Sequence, residues 1–194
     1  MAFAATHARD LTATIAWARQ VAVDPRTIFL DTETTGLDER AEIVEIAIVD
    51  CNGRVLLDTL VKPVEPIPAD ATRIHGISNR MVATAPGWDR IAPRVNRLLA
   101  RAGRVVIYNA DFDTRIMRQC NARYRLPDPQ ADWHCAMRHY AAYAGIIHQR
   151  YGGYRWHKLG DAAARFGHTG QLQHRALSDT LLCRLVVLGM AGMG

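Results

Sequence analysis

Asn52-Gly53 stands between two apolar runs, Glu42–Asp50 and Arg54–Val61. Both residues accept the left-handed backbone of the two-residue turn whose twist matches paired strands, so this spacing predicts an antiparallel hairpin. A third apolar stretch, Thr27-Ile28-Phe29-Leu30-Asp31, precedes the hairpin and reads as a buried strand, set off from what comes before by Asp24-Pro25. Three strands in succession followed by helical patterns restrict the chain to architectures that begin with an antiparallel meander.

The patterns that follow alternate. Pro63, Pro66 and Pro68 predict a long irregular connection running through Ile74-His75-Gly76-Ile77. A helix is expected over Trp88–Arg101, a strand over Arg104–Tyr108, and a helix with Asn109 as N-cap that ends near Tyr124, before Pro127. Trp133–Ala144 holds a short strand and a helix, and Lys158–Phe166 a further helix. The last helix begins near Arg175 and carries Leu177, Leu181, Leu185 and Leu188. Ahead of all this, Leu11, Ile15, Ala18 and Ala22 recur at near-helical spacing over His7–Val23. The expected fold class is α/β: a mixed five-stranded sheet with helices on both faces, residues 26–190, preceded by an N-terminal helical extension, residues 1–25.

Composition narrows the function classes without choosing one. A chain of 194 residues with 49% hydrophobic and 22% charged residues is ordinary for a globular domain. No apolar run approaches the roughly 20 residues of a membrane span, and Arg9, Asp10 and Arg19 interrupt any secretory leader. A cytoplasmic location is the expectation. Cys51, Cys120, Cys135 and Cys183 form no close pair, which reads as reduced thiols rather than a zinc site or disulfide framework. The net charge of +5 suits a polyanionic partner.

Four carboxylates stand out. Asp31 and Glu33 are two apart where the first strand is expected to end, so both side chains point to one side. Thr34-Thr35-Gly36 then forms a turn. Asp113 shares a helical face with Ile116, Met117 and Cys120, and Asp179 shares one with Leu182, Cys183 and Val186. A carboxylate on an apolar stripe needs a partner, a proton or a metal. Asp113 could also be a first-turn acid favoured by the helix dipole, and Asp179 could pair with one of the arginines. His174, five residues before Asp179, would lie about 140° from it within one helix, which places it in the preceding loop with its imidazole able to swing towards the same point.

These segments resemble the DEDD-type 3′→5′ exonucleases of the histidine subgroup. Phe29-Leu30-Asp31-Thr32-Glu33-Thr34-Thr35-Gly36-Leu37 is similar to their first motif, Asn109-Ala110-Asp111-Phe112-Asp113 to the second, and His174-Arg175-Ala176-Leu177-Ser178-Asp179 to the third. Ile74-His75-Gly76-Ile77 resembles a further shared segment. The likeness runs from about Thr27 to Met190, and proofreading subunits of bacterial DNA polymerase III are similar throughout that span. Two positions depart from the pattern: Tyr108 stands where many members have His, and Asp111 where a small residue is usual.

The resemblance implies an RNase H-like fold and two Mg²⁺ or Mn²⁺ ions on Asp31, Glu33, Asp113 and Asp179, a hard oxygen set suited to those cations. It makes His174 the general base and Thr34, Gly36, Leu37, His75, Asn109 and Phe112 the residues that hold terminal nucleotides of single-stranded DNA. Leu37 and Phe112 could equally be packing residues. Arg150 to Lys158 interleaves cations with Tyr151, Tyr154 and Trp156, as a single-strand groove does; a solvated loop with Trp156 tucked into the core is the plain alternative. RNA is the competing substrate. A non-catalytic binding module and an endonuclease are the other classes. No flexible tether is evident after Met190, so the expectation is a standalone enzyme, or a polymerase or repair partner met through the folded surface.

Overall fold

The computed structural model describes residues 2–150, 152–170 and 173–193, with side chains from residue 6 onward. Tyr151 of the cationic loop lies outside the described residues. Five strands, β1 (Thr27–Thr34), β2 (Ile43–Asp50), β3 (Val55–Leu60), β4 (Arg104–Ile107) and β5 (Trp133–Cys135), form one sheet in the order β3-β2-β1-β4-β5. β1, β2 and β3 pair antiparallel, whereas β4 runs parallel to both β1 and β5. The hairpin forms, but through the three residues Cys51-Asn52-Gly53, of which only Gly53 is left-handed, at a φ of 83°; the Asp50 N–H donates to the Arg54 carbonyl at 3.0 Å, and the Asp50 carboxylate accepts the N–H groups of Asn52 and Arg54.

Among the described residues eight helices surround the sheet: α1 (Ala2–Val23), α2 (Ala69–His75), α3 (Asn79–Val82), α4 (Trp88–Arg101), α5 (Ala110–Arg123), α6 (Ala136–Ala144), α7 (Leu159–Ala164) and α8 (Ala176–Ala191). The period of two in the central strands divides the core. Ile28, Leu30, Ile46, Ile48, Val105 and Ile107 pack with α4 and α5 on one face. Phe29, Val49 and Val106 pack with α1, α6 and α8 on the other. The N-terminal helix is thus part of a core layer: Ala18 and Val21 are buried, and Trp17 donates its indole N–H to His134 Nδ1 and stacks on His139 at 3.6 Å. Among the described residues no helix is long and apolar enough to cross a membrane.

Three local expectations need correction, and the apolar face expected beside Asp179 is met. β1 continues to Thr34, so Asp31 and Glu33 lie inside the strand, held there by pairing with Ala47 and Glu45. The proline-rich connection contains α2 and α3; its prolines precede the helices, Pro68 standing at the N-cap of α2, where a missing N–H costs nothing. Asn109 occupies the N-cap of α5 but makes no side-chain cap bond. On α8 the buried stripe is Leu182, Cys183, Val186, Val187 and Met190, and Leu181 is exposed.

Gly189 marks a close approach. A Cβ built there would lie 2.2 Å from the Phe166 ring. Gly189→Ala should therefore destabilise the protein by about 2 kcal/mol through overpacking, even though alanine is the better helix former. Thermal melts should show a fall of about 4–8 °C for a chain of this size. An unchanged or raised Tm would mean that Phe166 yields without cost.

Candidate active site

Strand alternation sets the site. Asp31 and Glu33 share parity with Phe29, so they project to the α8 face. Asp179, in the first turn of α8, meets them there, and one ligand atom from each of the three carboxylates lies within 4.8 Å of the others. Thr32 points the opposite way, towards α5. Asp113 Oδ1 accepts both its N–H, at 3.1 Å, and its hydroxyl, at 2.7 Å. Asp113 therefore approaches from the other side of β1. All four carboxylates line one pocket of about 200 Å³, with Asn109, Phe112 and His174 on its rim.

Burial and mutual repulsion make this a poor place for bare negative charge. Desolvation, then the charges of Asp113, Glu33 and Asp179, hold Asp31 well above the carboxylate range. Burial, and then Asp179, push Glu33 up to about 8. For Asp113 burial outweighs the two Thr32 hydrogen bonds and raises it to about 7. Burial also raises Asp179, against the pull of His174. Asp179 Oδ1 is buried with no hydrogen-bond partner. A divalent cation would reverse each of these penalties at once, so the donor set fits a hard, oxygen-seeking metal.

His174 adopts a φ of 44°, left-handed for a non-glycine residue, and its Nδ1 lies 3.9 Å from Asp179 Oδ2. Its side chain is 46% exposed, so the ring stands at the mouth of the pocket. The loop is held by a pair that sequence reasoning did not single out. Glu45, directly across from Glu33 in the sheet, is almost fully buried. It accepts the Arg175 guanidinium from Nε at 3.0 Å and from the terminal nitrogen, together with the Ala176 N–H at 2.9 Å. This carboxylate caps α8 from the sheet and fixes the residues on either side of Arg175. The available signal was a lone acid within the apolar run Ile43–Val49.

The remaining expected site residues divide. Asn109 and Phe112 are on the pocket lining. Thr34 donates its hydroxyl to the Gly36 carbonyl, shaping the turn, and a Cβ on Gly36 would meet nothing within 4 Å, so its backbone is open to approach. Leu37 is 78% exposed, which sets aside simple packing. Arg115 bonds the Leu37 and Asp38 carbonyls and sits 5.3 Å over the Phe112 ring. His75 is not on the lining. It is 3% exposed, accepts the Ile77 N–H at Nδ1, and is held below the usual histidine range by burial, against an opposing contact with the Thr34 backbone. Asp111 turns away to pair with Arg138 at 2.5 Å. Tyr108 is buried and donates its hydroxyl to the His157 carbonyl.

The raised carboxylates predict a pH-dependent stability. A folded state that binds protons more tightly than the unfolded chain is favoured at low pH and loses that advantage as pH rises through the folded pKa. For Glu33 the window runs from 4.5 to about 8, and for Asp113 from 3.8 to about 7. In a chelator, Tm should fall between pH 5 and pH 8, and Mn²⁺ or Mg²⁺ should raise it more at pH 8 than at pH 5. Thermal shift assays across that range check this, and a Tm indifferent to cation at pH 8 would contradict the metal reading.

Comparison with known proteins accords with this geometry. The sequence pattern of the family described as Exonuclease matches residues 28–186. An uncharacterised exonuclease of Escherichia phage 186 is 46% identical over 182 residues, 90% of this chain and 91% of that protein. The DNA polymerase III subunit epsilon of Treponema pallidum is 30% identical over 161 residues, 79% of this chain and 70% of the other. In structure, the chain is similar to exonuclease X in complex with 5′-overhanging duplex DNA, with a TM-score of 0.61 at 27% identity, covering 87% of this chain and 92% of that one. The nuclease domain of 3′hExo, a DEDDh family member bound to rAMP, shares the fold, with a TM-score of 0.71 at 16% identity, covering 87% of this chain and 92% of that one. With its acidic cluster built on this RNase H-like sheet and the pattern spanning most of its length, the chain belongs to the exonuclease family of nuclease hydrolases.

Proposed function

We propose that the protein removes nucleotides one at a time from the 3′ end of single-stranded DNA, releasing nucleoside 5′-monophosphates. The observation that carries this reading is the convergence of Asp31, Glu33 and Asp179 from β1 and α8 beneath a histidine that is free to face solvent. Asp113, oriented by Thr32, completes a set that would hold two Mg²⁺ or Mn²⁺ ions. Such cations, when bound, stabilise charge on a phosphodiester and lower the pKa of water.

The chain's own groups do the rest. The neighbouring Asp179 carboxylate orients the His174 imidazole, which accepts the proton of the attacking water at Nδ1 or Nε2. Asn109, Phe112 and the Thr34–Leu37 turn position the terminal nucleotides, with Leu37 and Phe112 against the last bases and the Gly36 backbone left open to the strand. His75 supports that turn from behind rather than touching the strand directly. The DNA named in the exonuclease X complex and the polymerase subunit among the relatives support DNA as substrate and a polymerase or repair complex as the setting.

His174→Ala should lower kcat about 10²- to 10⁴-fold, the scale of a lost general base, while affinity for single strands in the presence of metal changes little. Unchanged turnover would remove His174 from the reaction. Oligonucleotides of DNA and RNA, labelled at the 3′ or the 5′ end and digested in Mg²⁺, test substrate and polarity together. Early release of a 3′ label as a mononucleotide from DNA is the expected result. Preferential loss of RNA, cutting of circular single strands, or binding without cleavage would each overturn the reading.

A further inference from the structure

The cationic loop between α6 and α7 lies outside the reaction just described, yet it is built as a surface. Ile147 and Tyr154 form an antiparallel bridge. The Arg155 N–H donates to the Ile146 carbonyl at 2.7 Å and the His148 N–H to the Gly153 carbonyl at 3.0 Å, and Gly152 and Gly153 take the left-handed φ of 68° that the reversal requires. Both ends are braced. The Tyr154 hydroxyl donates to Asp10 of α1 at 2.8 Å, and the Tyr108 hydroxyl holds the His157 carbonyl at 2.9 Å. On this frame Trp156 is 60% exposed. It lines an open hollow of about 670 Å³ together with His148, Gly152, Gly153, Tyr154 and Arg155.

An indole this exposed, on a hairpin tied to α1 and to the turn after β4, forgoes the burial that a tryptophan side chain ordinarily gains. Its surroundings identify what would cover it. Arg155 and Lys158 flank the ring in sequence, a pairing of cations with an aromatic face that suits phosphates and bases better than an apolar protein surface. The loop that carries this hollow also runs into the wall of the catalytic pocket. Tyr108 lines that pocket and grips the loop, and Leu159, three residues beyond Trp156, lines it too.

We infer that Trp156 is a stacking platform for a base of the substrate strand upstream of the 3′ end, with Arg155 contacting the adjoining phosphate. The inference rests on the single-strand exonuclease reading and adds a second recognition point to it. Tyr108, whose hydroxyl donates to the His157 carbonyl, then braces this surface.

The test compares strand lengths. Affinity of Trp156→Ala for a fluorescein-labelled twelve-nucleotide DNA single strand, measured by anisotropy without hydrolysis in a chelator, should fall about tenfold, the scale of one lost stacking contact. Trp156→Phe should recover most of the loss, and affinity for a dinucleotide should move less than about twofold, because a dinucleotide does not reach the loop. Equal affinities of wild type and Trp156→Ala for the longer strand would overturn the inference, as would an equal loss at both lengths. Hydrolysis of the p-nitrophenyl ester of thymidine 5′-monophosphate in Mn²⁺ reports separately on the catalytic pocket: its absence in the wild type would defeat the exonuclease reading, whereas the anisotropy comparison alone decides Trp156.

Discussion

β1 is paired on both edges and packed on both faces, so each of its side chains must satisfy a particular neighbour. Its apolar half divides between the two core layers by simple alternation. Its second half keeps the same alternation but exchanges hydrocarbon for oxygen. Asp31 and Glu33 inherit the α8 side, and Thr32 inherits the α5 side, where its hydroxyl and N–H fix Asp113. Acids from two different helices are thereby brought to one pocket by the strand. A one-residue slip of β1 against β2 would send the two carboxylates to the wrong layer.

Concentrating acids in a protein interior costs stability, and the fold offsets part of that cost with its own cation. Glu45 lies next to the cluster, opposite Glu33, and would add one more repelling charge were it unpaired. Arg175 neutralises it, with the α8 N-terminus contributing an N–H to the same carboxylate. The cluster itself has no such partner among the described residues; His174, at 3.9 Å, is the nearest basic group recorded for Asp179. One acid is thus paired within the protein, while Asp31, Glu33 and Asp179 are left for a ligand to neutralise.

Much of this was legible in residue order because it depends on local periodicity. The hairpin, the Trp88–Arg101 helix and the carboxylates on apolar stripes all follow from spacings of two or of three and four. What escaped depends on distant pairing. Glu45 was visible as a charge in an apolar run, but its significance needs a partner 130 residues away. The exposure of Trp156 was equally closed to inspection, since a mixed cationic and aromatic segment reads the same whether its indole turns in or out. The short helices after Pro63 are hidden in the sequence because prolines read as breaks, whereas here they stand ahead of the helices. His75 shows the limit of motif transfer: it lies beside the Thr34 turn yet is buried behind it.

The Arg115 guanidinium spans two parts of the site that are far apart in sequence. It ties the carbonyls of Leu37 and Asp38 to α5 and covers the Phe112 ring. Leu37 and Phe112 are consequently not independent in the thermodynamic sense. Loosening one wall releases the guanidinium that steadies the other, so free-energy changes at the two positions should fail to sum. The turn ending at Leu37 and the start of α5 are better regarded as one mechanical element joined by a single cation.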